Sequence, residues 1–157
     1  MTPQRPLCLD GLEGAMAASI VDEHDRLAAC RGFNPVLAGR MRADAEGLVA
    51  SVVASSFCTF FGSPPEDRYA DVFDQVADFA AHLAKGHIFP DANKRTTVVA
   101  VGGALHLAGL ALEHGDDPDP ERNLLYGWIQ DVVTGDRGTA ELAEVLRANS
   151  LPEEPAG

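Results

Sequence analysis

An almost uninterrupted apolar segment, residues 96–112, constrains the fold more than any other part of this sequence. The segment is short for a membrane span, which requires about 20 residues, and it contains one histidine and three glycines. A central helix over residues 93–108, buried on all sides and ended by Gly109, explains the segment better than a membrane helix. We therefore expect no membrane association and a fold assembled around this helix.

The composition favours an all-α fold for the rest of the chain. The 157 residues suffice for one domain. Apolar residues make up 46% of the chain but aromatic residues only 6%, so Ala, Leu, Val and Gly must build most of the core. Close-packed helices use these residues more readily than a β-sandwich does. We expect one domain over residues 1–151 and a disordered tail, residues 152–157, with nothing apolar to pack.

Caps and apolar periodicity divide the chain into helices joined by short turns. The expected helices cover residues 12–29, 35–49, 66–85, 93–108, 124–133 and 140–148, with Thr139 as the cap of the last. Residues 51–62 are rich in β-branched and aromatic types and predict a short β-hairpin, although so short an apolar run also fits a continued helix. The predicted architecture is a helical bundle with a short β-hairpin flap.

Charge and cysteine content limit the partners and the compartment. Twelve Lys and Arg against 24 Asp and Glu give a formal net charge of −12, which repels nucleic-acid phosphates and anionic lipid. We therefore expect no nucleic-acid partner, and the acidic, aromatic-poor surface predicts a monomer. Cys8, Cys30 and Cys58 are far apart and form no CxxC pair, so free thiols in a cytoplasmic protein are expected.

The segment GHIFPDANKRT, residues 86–96, combines the side chains that phosphate chemistry requires. The first turn of the following helix offers N–H groups and the positive end of the helix dipole to phosphate oxygens, and Lys94 and Arg95 add two cations. Asp91 could hold Mg²⁺ together with phosphate oxygens and water. His87 is the residue type that exchanges protons at neutral pH, and Phe89 would anchor the loop in the core. The pattern indicates transfer of a phosphorus group from a nucleotide to a hydroxyl.

HIFPDANKRT resembles the core motif of the Fic/Doc superfamily, HxFx(D/E)xN(G/K)R, whose constrained positions fall in order within residues 87–95. The resemblance covers most of residues 70–148. Within the superfamily, AMP-transferring members carry GNGR followed by a second arginine three residues on. Here Ala92 and Lys94 replace both glycines, and Val98 stands in place of that arginine. These differences resemble the Doc (death-on-curing) branch, whose members share the lysine and act as protein kinases.

The resemblance implies a toxin of a toxin–antitoxin pair that uses ATP and Mg²⁺. Its target would be a translation factor of the elongation factor Tu class, modified on a Ser or Thr hydroxyl, and a small antitoxin would dock over the active-site groove. The implied roles are general base for His87, magnesium ligand for Asp91, and nucleotide contacts for Ala92, Asn93, Lys94, Arg95 and Thr96. The family's flap, which pairs with the target as an added strand, would correspond to residues 52–61.

Two other functions stay open on the sequence alone. The chain could be a nucleotidyl (AMP) transferase that modifies a protein hydroxyl despite Lys94, in which case Lys94→Gly would change the product little. It could also be a non-catalytic helical module that binds a partner or a nucleotide, which would bind ATP without forming a modified product.

Overall fold

The computed structural model describes residues 4–31, 38–89, 92–113 and 123–153. The elements within these ranges are α1 (Glu13–Arg31), α2 (Arg40–Phe57), α3 (Pro65–Arg68), α4 (Val72–Lys85), α5 (Asn93–Leu107), β1 (Leu110–Leu112), α6 (Leu124–Thr134), α7 (Thr139–Asn149) and β2 (Ser150–Pro152). The predicted all-α fold is thereby confirmed. In these ranges, no helix is both long and apolar enough to cross a membrane.

Helix α4 lies at the centre of the bundle, and ten of its 14 residues are buried. It packs against α2, α5, α6 and α7. The carboxylate of Asp71 caps its first turn by accepting a hydrogen bond from the Asp74 N–H at 2.9 Å. At the other end, Gly86 closes the helix by donating its N–H to the His82 carbonyl. Because α4 is held on several sides, it gives the motif that follows Gly86 a rigid support.

Helix α5 is apolar but is not buried on all sides, which corrects the prediction. Its buried face contains Thr97, Ala100, Val101, Ala104 and Leu105 and packs against the neighbouring helices, chiefly α4. On the opposite face Gly102, Gly103, His106 and Leu107 are exposed. The small residues on that face leave a groove between α5 and α1 instead of a filled core.

The predicted hairpin at residues 51–62 is wrong for its first half, because α2 continues through Phe57. Val49, Val53 and Phe57 recur at helical spacing and are completely buried, so packing of this face outweighs the β propensity of the individual residues. The flap expected over residues 52–61 is therefore largely helical. What remains is a tight turn in which Phe60 and Ser63 form an isolated antiparallel bridge.

The helix predicted over residues 66–85 is interrupted. Pro65–Arg68 forms a single turn, and α4 begins only at Val72 because Asp71 starts a new helix as its cap. The second helix begins at Arg40 rather than at residue 35, directly after Gly39 with its left-handed φ of 71°. Asn34, a typical cap residue that precedes the predicted start of this helix, lies outside the described residues.

The end of the chain is more ordered than predicted, as far as it is described. Strand β2 pairs antiparallel with β1, with Pro152 opposite Leu110, and the Glu153 N–H donates to the Gly109 carbonyl at 2.8 Å. Backbone hydrogen bonds, not apolar packing, hold Pro152 and Glu153, which is why the polar composition failed to predict this strand. Thr139, the predicted cap of the last helix, is instead the first residue of α7, and Gly138 occupies the cap position of that helix.

Candidate active site

Two residues with left-handed backbone flank the motif loop between α4 and α5. His87 has a φ of 47° and Ala92 a φ of 60°. Non-glycine residues rarely adopt this conformation, and it costs on the order of 1–3 kcal/mol each unless the surroundings enforce it. Such strain concentrates at functional sites, so the loop that carries His87 is the first candidate for an active site. The side chain of His87 is exposed to solvent.

Phe89 anchors the loop in the core, as the sequence predicts. It is 3% exposed, and its ring lies parallel to that of His24, with centroids 4.1 Å apart and an interplanar angle of 8°. The side-chain amide of Asn93 accepts a hydrogen bond from the Phe89 N–H at 3.1 Å and donates one to the Phe89 carbonyl at 2.9 Å. Asn93 therefore braces the loop, whereas the resemblance implied a nucleotide contact.

His24 connects the loop to the first two helices. It is completely buried, and its Nδ1 lies 3.1 Å from the Asp25 carboxylate. Asp25 in turn pairs with Arg42 of α2 at 3.2 Å. By sequence alone, His24 near a helix end is expected to be either packed or solvated. It is packed, but nothing in its position along the chain reveals that it packs against the motif.

Lys94 and Arg95 both approach one aromatic ring. The Lys94 ammonium lies 5.9 Å and the Arg95 guanidinium 5.8 Å from the ring centroid of Tyr126 on α6. An aromatic face attracts cations within about 6 Å, so the Tyr126 ring favours positions of both cations near the first turn of α5. Sequence spacing alone predicts no role for Tyr126, because no spacing rule connects residue 126 with residues 94 and 95.

The first turn of α5 presents backbone donors beside these cations. The first intrahelical hydrogen bond runs from the Thr96 N–H to the Ala92 carbonyl at 2.9 Å, so the N–H groups of Asn93, Lys94 and Arg95 precede it. Thr96 is buried, and its hydroxyl has no hydrogen-bond partner among the described residues. The turn combines a helix N-terminus with two cations, an arrangement that favours phosphate.

Asp91, the predicted magnesium ligand, lies outside the described residues. A single carboxylate is a ligand type that suits the predicted ion. Mg²⁺ typically takes one or two carboxylates and completes its shell with phosphate oxygens and water. Position 91 directly precedes Ala92, which leads into the phosphate-binding turn. In the described part of the chain, no cluster of three or more His, Cys, Asp or Glu side chains could hold a metal.

Two cavities adjoin the motif. The first, called the α1 groove, measures about 630 Å³ and lies between α1 and α5; its lining includes Leu12, Met16, Ile20, Thr96 and Leu107. The second, called the α2 pocket, measures about 330 Å³. It lies between residues 87–89 and one face of α2 that carries Met41, Asp44, Ala45 and Leu48.

The surroundings of Cys58 make its thiol unreactive. Burial, and then the negative charges of Glu13 and Asp10, raise the pKa of its thiol from 9.0 to about 11. Its Sγ donates to the Leu9 carbonyl at 3.4 Å. A protonated, hydrogen-bonded thiol is a poor nucleophile, so Cys58 takes no part in the chemistry of the site.

Comparison with known proteins agrees with the motif. The sequence profile of the Fic/DOC family matches residues 16–103, more than half of the chain. The protein named Toxin Doc from Mycolicibacterium smegmatis (strain ATCC 700084 / mc(2)155) is 31% identical over 108 residues, which cover 69% of this chain and 78% of that protein. No solved structure matches the chain. The profile and the relative confirm the resemblance to the Doc branch, and the chain belongs to the Fic/DOC family.

Proposed function

We propose that this protein is a Doc-type toxin that transfers the γ-phosphoryl group of ATP to a Ser or Thr hydroxyl of a translation factor, in the class of elongation factor Tu. One observation carries the proposal. His87 is exposed to solvent, has a left-handed backbone and lies at the start of the short connection that leads to the N-terminus of α5, which bears Lys94 and Arg95. A candidate proton acceptor and a candidate anion site therefore lie at the two ends of one short segment.

The proposed reaction is an in-line displacement at Pγ. The acceptor hydroxyl oxygen forms a bond to Pγ while the bond from Pγ to the β–γ bridging oxygen breaks, and ADP leaves with that electron pair. The hydroxyl proton passes to the imidazole of His87, which acts as general base. His87 is suited to this role because its side chain faces solvent, where an acceptor chain can reach it.

The first turn of α5 would hold the phosphates. Its backbone N–H groups and the cations of Lys94 and Arg95 stabilise negative charge on the phosphate oxygens, which is the main catalytic demand of phosphoryl transfer. Tyr126 keeps both cations at this turn. Ala92 contributes its left-handed backbone, Asn93 fixes the loop, and Thr96 lies at the end of the same turn.

Asp91 is the residue we propose as the magnesium ligand. When bound, the ion would neutralise part of the charge on the phosphates. The carboxylate of Asp91 precedes the anion-binding turn by two residues, so it can orient the ion toward the same phosphates that Lys94 and Arg95 contact.

Transfer of phosphate is favoured over transfer of AMP by two positions in α5. Lys94 puts a cation where the AMP-transferring pattern has glycine. Val98, in place of that pattern's second arginine, is partly buried against the core. A packed valine offers nothing to a terminal phosphate, so the nucleotide pose that depends on that arginine loses one of its contacts.

The α1 groove is the proposed docking site of a small antitoxin. Its apolar walls suit the apolar face of a helix, and it extends to Thr96 at the beginning of α5. An antitoxin segment there would lie beside the phosphate-binding turn. The relative is named Toxin Doc, which supports a toxin–antitoxin pair. Without its antitoxin, we propose that the chain is a cytoplasmic monomer.

The test is to incubate purified protein with Mg²⁺, bacterial lysate and ATP labelled at either the γ- or the α-phosphate. Label that reaches a protein from the γ-position alone is the expected result. Label from the α-position would instead establish AMP transfer, and ATP binding without labelled product would leave a binding module. Lys94→Gly should strongly reduce γ-transfer, whereas in an AMP transferase the same change would alter the product little.

A further inference from the structure

The α2 pocket adjoins the proposed general base, and nothing in the proposed mechanism occupies it. His87 itself lines the pocket, together with Ile88 and Phe89 of the motif loop. A general base must lie about 2.6–3.2 Å from the oxygen whose proton it removes. An extended chain advances only about 3.3 Å per residue. The residues next to the modified Ser or Thr are therefore within reach of this pocket.

The wall that α2 contributes is apolar and accessible. Met41, Ala45 and Leu48 follow one another at helical spacings of four and three residues and so form a single stripe. Met41 is 52% and Leu48 55% exposed, whereas Ala45 is buried at the base of the stripe. Two large apolar side chains this accessible, directly beside a catalytic loop, would lose water contact when an apolar side chain enters between them.

The charge in the pocket selects among possible occupants. Asp44 is exposed and makes no ion pair within the described ranges. Arg40, four residues before Asp44 on the same face of α2, makes no ion pair with it in this part of the chain. Arg42 lies on another face and is bound to Asp22, Asp25 and Glu46. An unneutralised carboxylate repels the phosphates of a nucleotide and attracts a Lys or Arg side chain. A volume of about 330 Å³ also suits one or two side chains better than a whole nucleotide.

We propose that the α2 pocket is the acceptor subsite. It takes an apolar side chain next to the modified Ser or Thr, and Asp44 pairs with a basic residue of the same acceptor segment. This inference rests on the proposed function and adds to it the recognition of the acceptor sequence. The α2 pocket also takes over the role of binding the target that was expected for the flap, because the segment predicted to form the flap is largely helical.

The test measures initial rates of γ-phosphate transfer while the lysate and ATP concentrations are varied separately. Leu48→Glu should raise the apparent KM for lysate acceptor at least tenfold and leave the KM for ATP unchanged. Leu151→Glu is the matched control, because Leu151 is 51% exposed on β2 and lines neither cavity. Asp44→Lys should raise the acceptor KM several-fold, while Glu144→Lys on α7, with the same change in net charge, should not.

The outcomes separate the subsite from the chemistry. Wild-type protein that transfers no label overturns the proposed function and this inference with it. A second outcome overturns the subsite alone. In that outcome His87→Ala abolishes labelling, but Leu48→Glu and Asp44→Lys transfer label as well as their control variants do. An unchanged KM for ATP in the variants establishes that they are folded, so a rise confined to the acceptor KM supports the subsite.

Discussion

At the residue scale, the motif loop is held by a chain of contacts that begins far from it in sequence. Arg42 pairs with Asp25, Asp25 bonds to His24, and the ring of His24 stacks on Phe89. Asn93 then fixes both backbone polar groups of Phe89. These contacts fix Phe89, two residues after His87. We therefore expect His24 to help position His87.

Two substitutions of His24 distinguish the contribution of ring stacking from that of the hydrogen bonds made by the imidazole. His24→Ala removes a fully buried ring and should cost about 3 kcal/mol of unfolding free energy, and kcat should fall at least tenfold because Phe89 loses its support. His24→Phe keeps the stacked ring and should restore most of the kcat at a smaller cost in stability. Thermal unfolding and γ-transfer kinetics well below both Tm values provide the measurement. An alanine variant with wild-type kcat would refute the positioning role.

The sequence was sufficient to propose the candidate residues of the motif, because side chains with related chemistry occupy nearby positions. His87, Lys94 and Arg95 lie within nine residues, and helix-end electrostatics gives that spacing a meaning. Tyr126 and His24 were not predictable in their roles. Each reaches the loop through tertiary packing, and a ring on an amphipathic helix is, by sequence, simply a core residue.

At the element scale, most helices followed from periodicity and caps, but their ends depended on tertiary contacts. The central helix α4 has the apolar face that its sequence predicts. Helix α2 runs past its predicted end because Phe57 is buried in contact with Phe79 of α4, with ring centroids 4.9 Å apart. The helix then ends at Cys58. Two hydrogen bonds hold the N-terminal segment at this point: the Leu9 N–H donates to the Phe57 carbonyl at 2.7 Å, and the Cys58 thiol donates to the Leu9 carbonyl.

The raised pKa of the Cys58 thiol predicts a loss of stability at high pH. The pKa of the Cys58 thiol is raised from 9.0 to about 11 in the folded protein, so the unfolded chain ionises first. The stabilisation is complete below pH 9.0 and is lost as the pH rises through about 11. Burial also raises the pKa of Tyr69 to about 12, which acts in the same direction.

Alkylation with iodoacetamide tests directly whether the Cys58 thiol is protonated and shielded in the folded protein. At pH 8 we expect the exposed Cys8 and Cys30 to react while Cys58 stays unmodified until denaturant is added. Cys58→Ser should weaken the decline of unfolding free energy between pH 9 and pH 11. If Cys58 reacted at pH 8 as fast as Cys8, the described packing around its thiol would be wrong.

At the scale of the whole molecule, the site is a small cationic feature in an acidic protein. The chain carries a formal charge of −12, so the ATP that we propose as its substrate would approach against an unfavourable field. The two cations at α5 and the helix N-terminus must overcome this field at short range, which gives Tyr126 its importance. The two cavities adjoin the motif through different helices, α1 and α2. An antitoxin, nucleotide and acceptor can thus each be assigned a separate surface.

The central claim is that His87 removes the proton of an acceptor hydroxyl during phosphate transfer. The most direct measurement compares rates of γ-phosphate transfer into lysate protein by wild type, His87→Ala and the control His82→Ala. His82 is exposed on α4, in the helix that leads into the loop. We predict that His87→Ala lowers the rate about 10²–10⁴-fold with unchanged affinity for ATP, and that His82→Ala keeps it. Full transfer by His87→Ala would contradict the account.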